Sequence, residues 1–179
     1  MNAITEIGWG QALKYAFYSI ACGLFSLLFV SPFRVFFLSI FGARIGKNVV
    51  IENVKFINAH KKGFSALSIG DNCYLGQECL LDLSDKITLE ENVTLASRSA
   101  LITHTNVGYV DHALQKFLPK KTNPITIRKN SFIGFGGIIV GVTVLAEKTA
   151  VAAGAVVVEN NSGNEILAGV PAKTLKHFS

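Results

Sequence analysis

The sequence predicts an all-β solenoid with an apolar helical segment at its N-terminus. Three observations lead there. Residues 12–41 form a long apolar block, an aliphatic residue returns every sixth position from Ile45 onward, and a small residue follows most of these aliphatics four places later. The length of 179 residues suits one domain with an appendage.

The helical segment comes first. Half of the residues are hydrophobic and only 16% are charged, an apolar balance for a small domain, and the excess sits in residues 12–41. Tyr15 to Val30 carries no charge. As a helix it is about 24 Å long, short of the roughly 30 Å hydrocarbon core of a bilayer. Ser31-Pro32 then interrupts it, with Ser31 expected as an N-cap and Pro32 at the first helical position. A second helix over Phe33–Phe41 follows, apolar on nearly every side except at Arg34. A secretory signal needs a basic start and a small-residue cleavage site, and neither is present. A single span would have to run straight through Pro32. The reading is a broken helical pair, lying in one membrane leaflet or packed against the rest of an oligomer; a buried helix pair stands beside it.

The repeat follows. Ile45, Ile51 and Ile57 fall on a six-residue beat, then Ile69, Leu75 and Leu81, with Gly63 missing between them. A two-residue slip precedes Leu89, Leu95 and Leu101, and the beat resumes at Ile127, Ile133, Ile139, Leu145, Val151 and Val157. Four places later stand Val49, Cys73, Cys79, Val93, Ser99, Ser131, Gly137, Thr143, Thr149 and Ala155, with Lys55 the exception. A period of six matches neither a helix nor simple strand alternation. It fits short strands joined by tight turns, each coil burying its aliphatics against its neighbours, with small residues where the backbone bends. Cys73 and Cys79, six apart, become equivalent inward fillers. With Cys22 they form neither a disulfide framework nor a metal cluster, which points to a reducing compartment.

A net charge of +5 is carried by scattered Lys and Arg. No basic run is interleaved with aromatics, which argues against nucleic acid; an anionic membrane surface or a phosphate-bearing ligand fits the charge better.

The beat breaks at Asn58–Ser68, at residues 82–88, and over the long excursion from His104 to Asn123. The last contains Tyr109, Asp111, His112, Phe117 and Lys120-Lys121, and a loop of that size on a solenoid is commonly functional.

Three segments carry a resemblance to a known family: LDLSDKITLEENVTLASRSALITHTNVG (81–108), NPITIRKNSFIGFGGIIVGVTVLAEKTAVAAGAVVVEN (123–160) and ILAGVPAKTLK (166–176). They resemble the hexapeptide-repeat acyltransferases, most closely the maltose- and galactoside-type and surface-polysaccharide O-acetyltransferases. The resemblance implies a left-handed parallel β-helix over residues 44–165, with an excursion loop at 104–124, preceded by the apolar segment 1–43 and followed by a C-terminal extension 166–179. It implies a homotrimer with active sites between subunits, and transfer of an acetyl group from acetyl-CoA to a sugar hydroxyl in surface-glycan synthesis. No metal and no resident cofactor are expected; acetyl-CoA is a co-substrate. The apolar segment would hold the protein at the cytoplasmic face of a membrane. An N-acetyltransferase on an amino sugar or nucleotide sugar, or an inactive structural homologue, is the alternative.

In these relatives a histidine just after the last beat before the loop is the catalytic base, and His104 occupies that place. Such a base has a pKa near neutral and needs a partner to fix its tautomer. His104 stacks one coil above Ser84 and Asp85, with Asp82 at the same turn, so Asp85 or Asp82 is the expected orienting group. For the donor, the resemblance points to Phe135, Gly136, Ala153 and Gly154 along the pantetheine arm, where small side chains let a ligand approach the backbone, and to Lys173 and Lys176 for the CoA phosphates. Glu159 departs from the pattern: it stands where relatives often carry a lysine that helps bind those phosphates. His112 is a candidate acceptor contact; His60 and His177 are expected to be solvated.

Overall fold

In the computed structural model, which describes residues 8–108, 111–141 and 144–178, the six-residue beat becomes a triangular prism. The first coil is β1 (Arg44–Ile45), β2 (Val50–Ile51) and β3 (Lys55–Ile57), and each following coil repeats this order. Sheet A stacks β1 on β4 (Leu67–Ile69), β7 (Ile87–Leu89), β12 (Ile125–Ile127) and β15 (Val144–Leu145). Sheet B stacks β2 on β5 (Tyr74–Leu75), β8 (Thr94–Leu95), β13 (Phe132–Ile133), β16 (Thr149–Val151) and β18 (Glu165–Ala168). Sheet C stacks β3 on β6 (Leu80–Asp82), β9 (Ala100–Ile102), β14 (Ile138–Val140) and β17 (Val156–Val157). All pairings within these stacks are parallel and in register, so Ile69, Leu89, Ile127 and Leu145 lie one above the other, as do Leu75, Leu95, Ile133 and Val151. Every one of these is buried.

One beat is displaced. Leu81 pairs with Phe56, and Ile57 lies opposite Asp82. The first coil therefore takes five residues from Ile51 to its sheet C core residue instead of six. The same deletion explains the Lys55 exception, because Val54, buried to 2% exposure, fills the small-residue slot and leaves Lys55 outside. Of the other small positions, Val49 is half-buried, and Cys73, Cys79, Val93, Ser99, Ser131, Thr149 and Ala155 are buried. Burial pushes the Cys73 and Cys79 thiols up, which suits fillers rather than nucleophiles. Thr143 lies outside the described residues.

The corners have their own logic. Between sheets A and B, Asn48, Asn72, Asn92 and Asn130 all adopt positive φ of 54 to 59°, a conformation asparagine tolerates. Their side chains ladder, with Asn48 Nδ2 donating to Asn72 Oδ1 and Asn92 Nδ2 to Asn130 Oδ1. Between sheets B and C the matching residues are Glu78, Arg98, Gly136 and Gly154.

Helix α1 (Trp9–Ser26) and helix α2 (Ser31–Ile40) close the N-terminal end of the prism. Phe25 and Leu38 are buried, and the rings of Phe25, Phe56 and Phe64 meet edge to face at 5.2 and 5.1 Å. The helix cap is Val30, not Ser31. Ser31 is already helical, and its hydroxyl accepts from the Ile51 N–H at 2.9 Å. Arg34, the one charge on this helix, turns inward: it donates to the Leu28 and Ile51 carbonyls and meets Glu52. The two contacts to Ile51 satisfy backbone groups at the open edge of sheet B, which would otherwise be unpaired. At the far end β19 (Lys173–His177) covers β18 as an antiparallel strand. There Glu165, 1% exposed, accepts from Asn161, Ser162, Gly163 and Thr174, tying the last turn to the final strand.

Candidate active site

The corner leading out of sheet C is where the beat slips and where the excursion begins. At its base is Asp82, the last residue of β6 and fully buried. Its Oδ1 accepts from Asn58 Nδ2 at 2.8 Å, from the Ser84 hydroxyl at 2.9 Å and from the Ser84 N–H at 3.1 Å. Its Oδ2 accepts from the Thr103 N–H at 2.9 Å and lies 2.6 Å from His104 Nδ1. Burial pushes Asp82 up most strongly of any single effect, yet the hydrogen bonds from His104, Asn58, Ser84 and Thr103 together outweigh it and hold the carboxyl at about 2. The two extra residues of the slip build this nest: Leu83 turns into the core, and Ser84, 3% exposed, curls back onto the carboxylate.

An ionised carboxylate only accepts hydrogen bonds, so His104 Nδ1 carries a proton, and in the neutral ring the lone pair is then on Nε2. The His104 side chain is 24% exposed, enough for the free nitrogen to meet a ligand. Imidazole and carboxylate thus form a base with a fixed tautomer.

Of the two expected orienting groups, Asp82 meets the histidine and Asp85 does not. Asp85 pairs with Lys62 Nζ, and its N–H donates to Thr103 Oγ1 at 3.0 Å. Thr103, 2% exposed, occupies the place beside Asp85, and the chain leaves the prism at the next residue. The excursion itself opens and closes as a hairpin, in which β10 (His104–Thr105) pairs with β11 (Lys121–Thr122) and Asn123 N–H returns to the Thr103 carbonyl at 2.8 Å. His112 accepts from the Leu114 N–H at 3.1 Å and so caps its own turn. Tyr109 lies outside the described residues. His60 is half-buried with its ring 5.2 Å from that of Tyr15, where solvation had been expected.

The donor candidates lie on a different edge of the prism. Phe135, Gly136, Ala153 and Gly154 form the corner leading into sheet C, one sheet's width from His104. A Cβ added at Gly136 or Gly154 would meet nothing within 4 Å, whereas Glu78 and Arg98 occupy the two coils below. Arg98 stacks its guanidinium 5.7 Å from the Phe135 ring. The edge is thus bare at its C-terminal end, and within one chain it does not face the base. Lys173 and Lys176 are exposed on the final strand. Glu159, the departure from the family pattern, takes Lys173 Nζ at 2.7 Å.

Two features escaped sequence reasoning: the Asn58–Ser84–Thr103 nest around Asp82, and Glu165. The asparagine ladder has a signal, since Asn closes GKN, GDN, EEN and RKN at matching places in four coils.

No family model matches the chain. A curated relative does: the colanic acid biosynthesis acetyltransferase WcaF of Escherichia coli (strain K12) is 31% identical over 144 residues, covering 80% of this chain and 74% of that protein. A Saccharomyces cerevisiae acetyltransferase, YJL218W, is 29% identical over 115 residues, covering 64% of this chain and 58% of that protein. Among solved structures, a maltose O-acetyltransferase from Clostridium difficile 630 superposes with a TM-score of 0.76 at 21% identity, covering 96% of this chain and 90% of that one. A galactoside acetyltransferase in complex with coenzyme A superposes with a TM-score of 0.78 at 23% identity, covering 97% of this chain and 84% of that one. The fold is the left-handed parallel β-helix, and the chain belongs to the hexapeptide-repeat acetyltransferases.

Proposed function

We propose that the protein transfers an acetyl group from acetyl-CoA to a sugar hydroxyl during surface-glycan synthesis, with His104 as general base and Asp82 as its orienting group. The observation that carries this reading is the 2.6 Å contact between His104 Nδ1 and a buried, ionised Asp82. His104 Nε2 takes the proton of the acceptor hydroxyl as its oxygen attacks the thioester carbonyl. The tetrahedral oxyanion collapses, the C–S bond breaks, and the imidazolium returns the proton to the departing thiolate. Asp82 stays ionised throughout and stabilises the imidazolium. No acyl-enzyme forms. The relatives named for colanic acid synthesis and for maltose and galactoside acetylation support the substrate class.

The acetyl donor lies along Phe135, Gly136, Ala153 and Gly154, with Lys173 and Lys176 near its phosphates. Because that edge is a sheet's width from His104 in the same chain, the base of one subunit works against the donor edge of its neighbour, in a homotrimer. The helical pair rests on the cytoplasmic face of a membrane. No helix of the described residues is long and apolar enough to cross one, yet Phe29, Trp9 and Phe33 are 91, 75 and 62% exposed, and residues 8–43 contain no acidic side chain.

Release of free thiol from acetyl-CoA in the presence of a sugar panel tests the activity. His104→Ala is expected to lower turnover about 100-fold or more. Unchanged turnover removes His104 as the base. Loss of binding to anionic vesicles on Phe29→Ser and Phe33→Ser tests the membrane placement, and undiminished binding overturns it.

A further inference from the structure

The lysines near the dyad are not evenly neutralised. Helix α3 (Ala59–Lys62) places Lys61 and Lys62 beside the corner that holds Asp82. Lys62 is paired with Asp85. Lys61 instead donates to Ser84 Oγ at 3.0 Å, and the Ser84 hydroxyl donates to Asp82 Oδ1 at 2.9 Å. Lys61 therefore sits two hydrogen bonds from the carboxylate that holds the catalytic imidazole. In the hairpin that begins at His104, Lys120 precedes the Thr105–Lys121 pair, and its charge reaches Lys61. Among the described residues no carboxylate forms an ion pair with Lys14, Lys61, Lys120 or Lys121. Burial and then the charge of Lys120 lower the Lys61 ammonium below its usual range, against the opposing pull of the Asp82 carboxylate.

Lys61 also lines a cleft of ≈ 490 Å³ with Gly8, Gly10, Gln11, Lys14 and His60. The cleft opens at the start of α1, where Trp9 and Leu13 are 75 and 69% exposed. A neutral sugar gives the two ammonium groups that line this cleft nothing to neutralise them. The phosphates of CoA are a poor match, because an extended pantetheine arm separates them from the reacting sulfur, whereas Lys61 is beside the base.

We propose that Lys61, with Lys14 and Lys120, binds a phosphate of the acceptor, so that the acceptor is a glycosyl phosphate or diphosphate rather than a free sugar. This rests on the sugar acetyltransferase reading above. A nucleoside diphosphate sugar and a lipid-linked sugar diphosphate present the same anion. The second would run its chain along the apolar face that starts at Trp9.

The test compares kcat/KM for glucose, galactose and fucose presented free, as 1-phosphates, as nucleoside diphosphate sugars and as polyprenyl diphosphate sugars in detergent. Phosphate-bearing forms are expected to exceed the free sugar by about tenfold or more, one charge-assisted contact being worth about that factor. Lys61→Gln and Lys120→Gln should each collapse that ratio about tenfold through the acceptor KM, and Lys61→Arg should largely keep it. The nucleotide and polyprenyl arms tell the two sources apart. A ratio near one in the unaltered protein, a ratio that neither substitution moves, or an effect on the acetyl-CoA KM alone would overturn the site while leaving the acetyltransferase reading intact. If no sugar in any form is acetylated, titration calorimetry with pyrophosphate and UDP-glucose decides the site directly. Binding that Lys61→Gln weakens about tenfold supports it; absence of heat refutes it.

Discussion

Oδ2 of Asp82 lies 2.6 Å from Nδ1 of His104, and the carboxylate has no exposure to solvent. Asp85, three residues on, faces Lys62 instead. The two aspartates were equivalent candidates in the sequence, and they separate in substitution. Asp82→Asn is expected to lower turnover on the order of 100-fold or more, because the amide no longer enforces a protonated Nδ1. Asp85→Asn should change turnover less than about threefold, since it removes only a partly exposed ion pair. Steady-state thiol release on both variants checks the assignment, and equal losses would contradict it.

The pH dependence has a definite sign. Asp82 and Glu165 are both held at about 2 in the folded protein, below their ordinary values of 3.8 and 4.5. Each therefore contributes stability that is fully present above its ordinary value and is lost as pH falls through about 2. Denaturation midpoints followed from pH 5 to pH 2 should fall across this window, by on the order of 2 kcal/mol for each group. Asp82→Asn should lower the turnover plateau without creating a new limb between pH 3 and 5.

Glu159 holds the ammonium of Lys173 at 2.7 Å on the exposed end of the prism. If Lys173 serves the CoA phosphates, Glu159 competes for it. Glu159→Gln is expected to lower the KM for acetyl-CoA about two- to fivefold with kcat unchanged, as expected for one surface charge contact. Kinetics at varied acetyl-CoA check this, and a raised KM would mean that Glu159 positions the lysine instead.

Two glycines on the same edge of the prism should respond differently to alanine. A Cβ at Gly76 would stand 2.6 Å from the Ser97 backbone nitrogen, so Gly76→Ala should destabilise by about 1–3 kcal/mol. At Gly154 the space is open and the cost is the positive φ of 69° alone, about 1–2 kcal/mol. The added methyl at Gly154 stands on the proposed donor edge, so its variant should raise the KM for acetyl-CoA while remaining folded. Thermal melts and kinetics on both variants separate the effects.

Arg34 is 6% exposed and satisfies the Leu28 carbonyl between the two helices and the Ile51 carbonyl at the open edge of sheet B. Arg34→Met keeps the bulk but leaves those carbonyls and Glu52 without their partner. A loss of about 1–3 kcal/mol is expected in urea unfolding. A neutral result would show that water replaces the guanidinium there.

The period of six determined most of this molecule without reference to its structure. A beat of aliphatics with small residues between them fits stacked short coils, so the solenoid, the inward cysteines and the point where the chain departs at His104 follow from spacing, while the three-sided coil is implied by the family resemblance. What spacing could not resolve is anything that depends on contact across coils. The one-residue deletion before Phe56 is invisible because Ile57 is as aliphatic as the residue it replaces on the beat. The inward turn of Arg34 is likewise hidden, because a chain pattern does not show which carbonyls lack partners. The selection of Asp82 over Asp85 turns on which side chain the nest of Asn58, Ser84 and Thr103 holds, residues drawn from three successive coils. The separation of His104 from the bare donor edge likewise comes from the triangular cross-section, which places successive corners on different edges of the prism. Local periodicity determined the scaffold; the buried hydrogen bonds between coils, which only the folded chain brings together, decided the chemistry.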